Sequence, residues 1–166
     1  MLYLLDANVI ITAKDSYYAM DQVPQFWAWL VHQGDSGKLK IPRELFDEVN
    51  AGNDKEHPFY AWRKEKTHID AVQLTEAVDL SLVQRVLDEG YGTNLNDAEL
   101  STIGKDPFLV AYALVNPSRV VVTTEVSKPS MTRQNRKLPD VCEFFKVPCF
   151  NTFQMTRALN WKTNWK

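Results

Sequence analysis

The sequence predicts a three-layer α/β/α domain built on a mostly parallel central sheet, and three observations carry that reading. Short apolar or β-branched runs alternate with stretches of helical periodicity along the chain, the pattern of strand–helix–strand units. Glycine, asparagine and proline punctuate the boundaries, at Gly34, Gly90, Gly104 and Asn116-Pro117. Finally, 166 residues of which 45% are hydrophobic suffice for one core without cross-links or repeats, so residues 1–166 are read as one domain.

Leu2 to Leu5 is a fully apolar run ended by Asp6-Ala7-Asn8. It reads as a buried strand that leaves the sheet into a turn and delivers Asp6 at its C-terminal end. Val23, Phe26, Trp27, Leu30 and Val31 recur at helical spacing before Gly34, so Asp21 to Gln33 is expected to be an amphipathic helix with its aromatic stripe in the core. Leu39 to Ile41 offers a second short strand. Pro42 suits the first turn of a helix running to Val49 or Asn50, in which Leu45 and Val49 share one face and Glu44 and Glu48 another. Beyond a polar, tryptophan-bearing segment, Val78, Leu82, Val83, Val86 and Leu87 mark a further amphipathic helix closed by Gly90.

Asn96 followed by Glu99 has the form of a capping box for a helix through Ile103, ended by Gly104. Asp106-Pro107 then restarts a helix with Asp106 as its N-cap, and the all-round apolar run Phe108 to Val115 predicts that this helix is buried. That run also permits a strand, though its two alanines favour helix. Arg119 to Thr124 is rich in β-branched residues and reads as a central parallel strand, placing Glu125 just past its end. Ser127 to Pro139 reads as a long loop, Pro139 to Phe145 as a helix, Val147 to Phe150 as a short strand and Thr152 to Leu159 as a closing helix.

A formal charge of −2 argues against a protein that grips nucleic acid by overall positive charge, so any such contact must be local. The two cysteines, Cys142 and Cys149, form no disulfide framework and lack zinc spacing; both are read as reduced and buried. His32, His57 and His68 show no metal-ligand spacing either. Asp6 interrupts the apolar start too early for a signal peptide or a membrane span, which makes a cytoplasmic protein the expectation.

In a parallel sheet, Asp6 and Glu125 at two strand ends and Asp106 at the start of the intervening helix lie at one edge. Carboxylates so placed repel one another and require protons or a cation. Hard oxygen ligands without clustered histidine or cysteine point to Mg²⁺ or Mn²⁺ rather than zinc, and such a site suits phosphodiester hydrolysis. Taken singly, each residue has a plainer use: Asp6 in an Asx-turn, Asp106 as a cap, Glu48 on a helix surface. Lys128, Arg133, Arg136 and Lys137 follow Glu125 in the loop, where they either contact phosphates or are simply solvated. Trp161 and Trp165 either stack bases or, on the plainer reading, pack against the domain.

The ordered motifs Tyr3-Leu4-Leu5-Asp6-Ala7-Asn8, Ile41-Pro42 leading to Asp47-Glu48-Val49, Asp106-Pro107-Phe108-Leu109-Val110-Ala111-Tyr112-Ala113 and Val121-Val122-Thr123-Thr124-Glu125 resemble those of PIN domains, in a branch near the VapC-type toxins. The tail Lys137-Leu138-Pro139-Asp140-Val141-Cys142 and Val147-Pro148-Cys149-Phe150 is similar to the same branch, so the likeness spans nearly the whole chain. It implies a PIN-like domain with a metal-dependent endoribonuclease site: Asp6 and Asp106 as the firmest ligands, Glu48 as the helical carboxylate, and Mg²⁺ or Mn²⁺ activating water for attack on RNA. It further implies a cognate antitoxin protein as partner and a homodimer.

The fourth position usually carries Asp in that pattern, whereas here it is Glu125, one methylene longer. Asp97, just ahead of the Asp106 helix, competes for the place, although beside Asn96 it has a helix-dipole explanation. Glu44 replaces Glu48 if their helix is rotated. Asn8 and Thr123 either position a water or ligand or are structural. Two other readings stand beside the nuclease. One is a PIN-like module that has lost catalysis and binds RNA or protein, motivated by Glu125. The other is an unrelated α/β phosphotransfer domain of the haloacid-dehalogenase or receiver type, against which Asn8 occupies the place of a second aspartate.

Overall fold

Leu2–Leu5 (β1) buries three of its four side chains, so its backbone polar groups need partners on both edges. It finds them in Leu39–Pro42 (β2) on one side and Arg119–Val122 (β4) on the other, both parallel, with Tyr3 beside Leu39 and Leu5 beside Val122. The computed structural model describes residues 1–49 and 55–166, and among these two short strands complete the sheet. Gln73–Leu74 (β3) pairs with β2 and Cys149–Phe150 (β5) with β4, giving the order β3-β2-β1-β4-β5, parallel throughout.

Parallel neighbours need crossovers. The chain passes from β1 to β2 through Ala7–Thr12 (α1), a π-helical turn at Ala13–Tyr17, and Pro24–Asp35 (α2). It reaches β3 through Arg43–Glu48 (α3), Pro58–Lys64 (α4) and Lys66–Val72 (α5). Helices α2 and α5 pack on each other and on β2, forming one outer layer. The return to β4 runs through Leu80–Arg85 (α6), a π-helical turn at Val86–Tyr91, Asp97–Ile103 (α7) and Asp106–Leu114 (α8). Here α8 lies across β1, β2 and β4 with α6 beside it, which makes the opposite layer. Leu138–Phe144 (α9) joins β4 to β5, and Thr152–Ala158 (α10) follows. The architecture is the three-layer α/β/α arrangement that the alternation of patterns predicts.

Trp29, Tyr112, Phe26 and Phe59 are the largest fully enclosed side chains. The aromatic stripe of α2 is therefore core, and the tail closes over it: the Trp161 ring lies 5.5 Å from Phe26 and 5.3 Å from Trp29. Trp165 donates its indole N–H to the Gln25 carbonyl at 3.1 Å, so both tail tryptophans pack against the domain. Cys142 is buried as expected, while Cys149 is only half-buried; both are free thiols. Among the described residues no helix is long and apolar enough to cross a membrane.

Several elements differ from the sequence reading. Ala7–Thr12 is helix and not turn, because Val9 and Ile10 are buried against the layers beneath and their β-branched preference is overridden. Pro42 belongs to β2 and not to the following helix, since it pairs in register with Leu74 of β3, a two-residue strand with no period to read. The helix after Pro42 ends at Glu48 with Val49 already extended, and Asn50 lies outside the described residues. Gly90 stops nothing: it sits inside the π-helical turn, where a Cβ would come within 3.0 Å of Val141 and Phe145 side chains, and the turn ends at Gly92 with φ 142°. The tryptophan-bearing segment contains α4 and α5, which the pattern did not disclose. Asp106 is the first helical residue and not the cap; Lys105 takes the cap position.

Candidate functional site

Strand order reverses at β1, whose successor β2 lies to one side while β4 lies to the other. In open parallel sheets such a reversal opens a crevice beyond the C-terminal strand ends. Asp6 begins there: its N–H still bonds the Val122 carbonyl at 2.9 Å, and its side chain is 4% exposed. The next residue on the neighbouring strand is Thr123, whose hydroxyl donates to Asp6 Oδ2 at 2.8 Å. Thr123 Oγ1 in turn accepts the Glu125 N–H at 3.1 Å and the Asn8 amide N–H at 3.3 Å. Asn8, in the first turn of α1, also takes the Thr124 N–H on Oδ1 at 3.0 Å. Thr123 and Asn8 thus lock the end of β4 to the start of α1, and with it fix the Asp6 carboxylate.

Asp106 comes from the opposite layer. With Lys105 as the cap, its carboxylate caps nothing and instead accepts the Tyr91 hydroxyl at 3.4 Å. Burial pushes its carboxyl up to about 8, reinforced by the charges of Asp6, Glu125 and Glu48 and opposed by the Tyr91 bond. Asp6 is pushed up to about 6, again first by burial, with the Thr123 and Asn8 bonds holding it down and Glu125 and Glu48 adding to the rise. Glu48 is raised too, by partial desolvation, against the pull of the Lys105 ammonium and backbone N–H. It stands at the junction of α7 and α8, where a Cβ on Gly104 would lie 3.6 Å from its Oε1. Glu125 accepts the Leu138 N–H on Oε2 at 2.8 Å and has the Lys137 ammonium 3.7 Å from Oε1.

The structure therefore brings Asp6, Glu48, Asp106 and Glu125 into one electrostatic neighbourhood, drawn from β1, α3, α8 and the segment after β4. Glu44 is turned away, its carboxylate accepting the Tyr112 hydroxyl at 3.3 and 3.4 Å. Asp97 is exposed in the first turn of α7, next to the Asn96–Glu99 capping box, where the helix dipole favours it. Arg133 forks onto Glu99 at 2.6 and 2.9 Å, and Arg136 donates to the Gly90 carbonyl at 2.6 Å, so both guanidiniums clamp the loop to the helical layer. Lys128 is exposed, with its backbone N–H bonded to Asp140 at 2.7 Å. Tyr91, Lys105 and the Leu138 N–H were not legible as site residues. Each lies far along the chain from the carboxylate it serves or bonds through its backbone.

A cluster of this kind favours hard cations, because each donor is a carboxylate or hydroxyl oxygen and two of the acids are raised by burial and mutual repulsion. In the side-chain arrangement seen, and among the described residues, no three carboxyl, imidazole or thiol groups are gathered tightly enough to enclose an ion. The fit is thus one of donor chemistry and charge, with Asp6 and Asp106 at its centre. A family model described as a domain of unknown function, DUF4411, matches residues 3–163. No curated protein and no solved structure matches the chain.

Proposed function

The chain belongs to the DUF4411 family, and we propose that it is a metal-dependent endoribonuclease, a PIN-like enzyme acting in the cytoplasm as the toxin of a toxin–antitoxin pair. The observation that carries this reading is the convergence of the Asp6, Glu48 and Glu125 charges on Asp106 at the point where strand order reverses. The resemblance of the strand-end motifs to those of VapC-type toxins supplies RNA as substrate. A cognate antitoxin and a second copy of the chain are the protein partners this reading implies.

Bound Mg²⁺ or Mn²⁺ would polarise the scissile phosphate and generate a hydroxide-like nucleophile at neutral pH. Asp6, Asp106 and Glu48 are the residues to hold it, with Glu125 beside them. Thr123 ties down Oδ2 of Asp6 and Tyr91 ties down Oδ2 of Asp106, so each aspartate meets its ligand in a fixed orientation. Lys105 offsets part of the Glu48 charge. The reaction adds one water across the phosphodiester and leaves a hydroxyl on one fragment and a phosphate on the other.

Purified chain is incubated with RNA and Mn²⁺ or Mg²⁺ beside Asp6→Asn and Asp106→Asn. Loss of a residue that merely orients a ligand weakens metal sites by roughly 10- to 100-fold, so losing a ligand itself should reduce cleavage by at least about 100-fold. Equal cleavage by all three proteins would trace the activity to a contaminant and end the proposal. Glu125 favours one second reading, a binding module without catalysis, because its carboxylate is partly engaged by Leu138 and Lys137. RNA binding without Mn²⁺ uptake in calorimetry would select that module.

A further inference from the structure

On the β5 side of the carboxylates the surface folds into a cleft of about 380 Å³. Thr123, Thr124 and Glu125 form the wall shared with the acidic site, and the chain from Phe150 to Gln154 forms the far one. Two observations there point to a ligand. Tyr17 and Phe153 meet edge to face at 5.2 Å on the rim, yet remain 50% and 41% exposed. Thr152, which lines the cleft, is 3% exposed and its Oγ1 has no hydrogen-bond partner. Buried hydroxyls are nearly always satisfied, by protein or by ordered water, so this one has bonding capacity left for a ligand.

We infer that the cleft is a nucleobase pocket, in which one base of the strand cut at the carboxylates stacks against Tyr17 and Phe153, and Thr152 turns its enclosed Oγ1 outward to hydrogen-bond the base edge. The placement of the strand rests on the ribonuclease reading. The chemistry of the lining selects a base over a phosphate, because its sole charged residue is Glu125, which repels the backbone. The volume suits a heterocycle, since small-molecule sites begin at about 300 Å³. The two contacts divide the work. Stacking accepts every base, whereas a hydroxyl that must be paired discriminates between base edges. Thr152 is thereby a specificity-determining residue and Phe153 an affinity-determining one.

The Asp106→Asn chain, which should bind without cutting, is titrated with hexamers of adenylate, cytidylate and uridylate and with an abasic hexamer. The three base-bearing strands are expected to bind more tightly than the abasic one and to differ among themselves. Adding Phe153→Ala should weaken all three by about tenfold and leave the abasic strand unchanged. Adding Thr152→Val should compress the differences among the three bases, with a melting temperature no lower than its parent to certify the fold. Unchanged affinities in both variants, equal binding of the abasic strand, or no binding of any strand would overturn the pocket. Base-dependent binding by a chain that never cleaves RNA would instead keep the pocket and sink the nuclease.

Discussion

Asp106 concentrates the electrostatic strain of the fold. Its carboxyl is raised to about 8 and that of Asp6 to about 6, from an ordinary value of 3.8, in both cases first by burial. An acid whose folded-state pKa exceeds its unfolded one holds its proton more tightly in the native state. Stability is then greatest below about pH 4 for these groups and falls as pH rises through about 6 and about 8. Asp106→Asn removes the larger share. One pKa unit corresponds to about 1.4 kcal/mol, so the variant should gain several kcal/mol over wild type at pH 8, on the order of 5 at most. Below about pH 4, where Asp106 keeps its proton in the unfolded chain as well, the two should unfold alike in urea. A gap that is the same at both pH values would show that the acid is not strained. The sequence disclosed Asp6 and Asp106 because each stands at an element boundary beside a readable motif. It hid Tyr91 and Lys105, since which side chain meets a carboxylate across the fold is decided by packing.

Elements, more than residues, decide whether those acids meet. The junction Gly104-Lys105 turns the chain from α7 into α8 and sets where Asp106 points, and Gly104 does so with φ 63° and ψ −130°, a conformation that side chains resist. Gly104→Ala should cost about 1–3 kcal/mol, which for a domain of this size lowers the melting temperature by roughly 2–4 °C per kcal/mol, and should also weaken Mn²⁺ binding. Gly37→Ala is the control: its φ is 67° with nothing within 4 Å of an added Cβ, so it loses stability while leaving Mn²⁺ binding intact. Parallel losses of Mn²⁺ affinity in the two variants would deny Gly104 any role in aiming Asp106. The elements that carry the site, β1, α8 and β4, were legible because long apolar runs and β-branched residues announce them. The two-residue β3 and the helices α4 and α5 were not, because short segments carry too little period to separate from loop. Gly90 shows the converse error, a glycine demanded by close packing and mistaken for a stop.

At the scale of the whole molecule, folding gathers carboxylates from four distant segments onto one edge, although the chain as a whole carries only −2. The unfolded chain disperses them and holds a divalent cation weakly. A cation that binds the folded edge alone therefore stabilises it by mass action, by about 2.7 kcal/mol when its concentration is 100 times the dissociation constant. For a domain of this size that is a rise in melting temperature of roughly 5–10 °C. Protons compete for the same oxygens, so the rise should be larger at pH 8 than at pH 6, where the carboxyl raised to about 8 is still mostly protonated. Asp6→Asn should abolish most of it at either pH. The measurement is thermal unfolding with and without Mn²⁺, ionic strength being matched with KCl so that general screening cancels. Absence of a Mn²⁺-specific rise in wild type at pH 8 would remove the cation from the site, and with it the hydrolytic reading that depends on one.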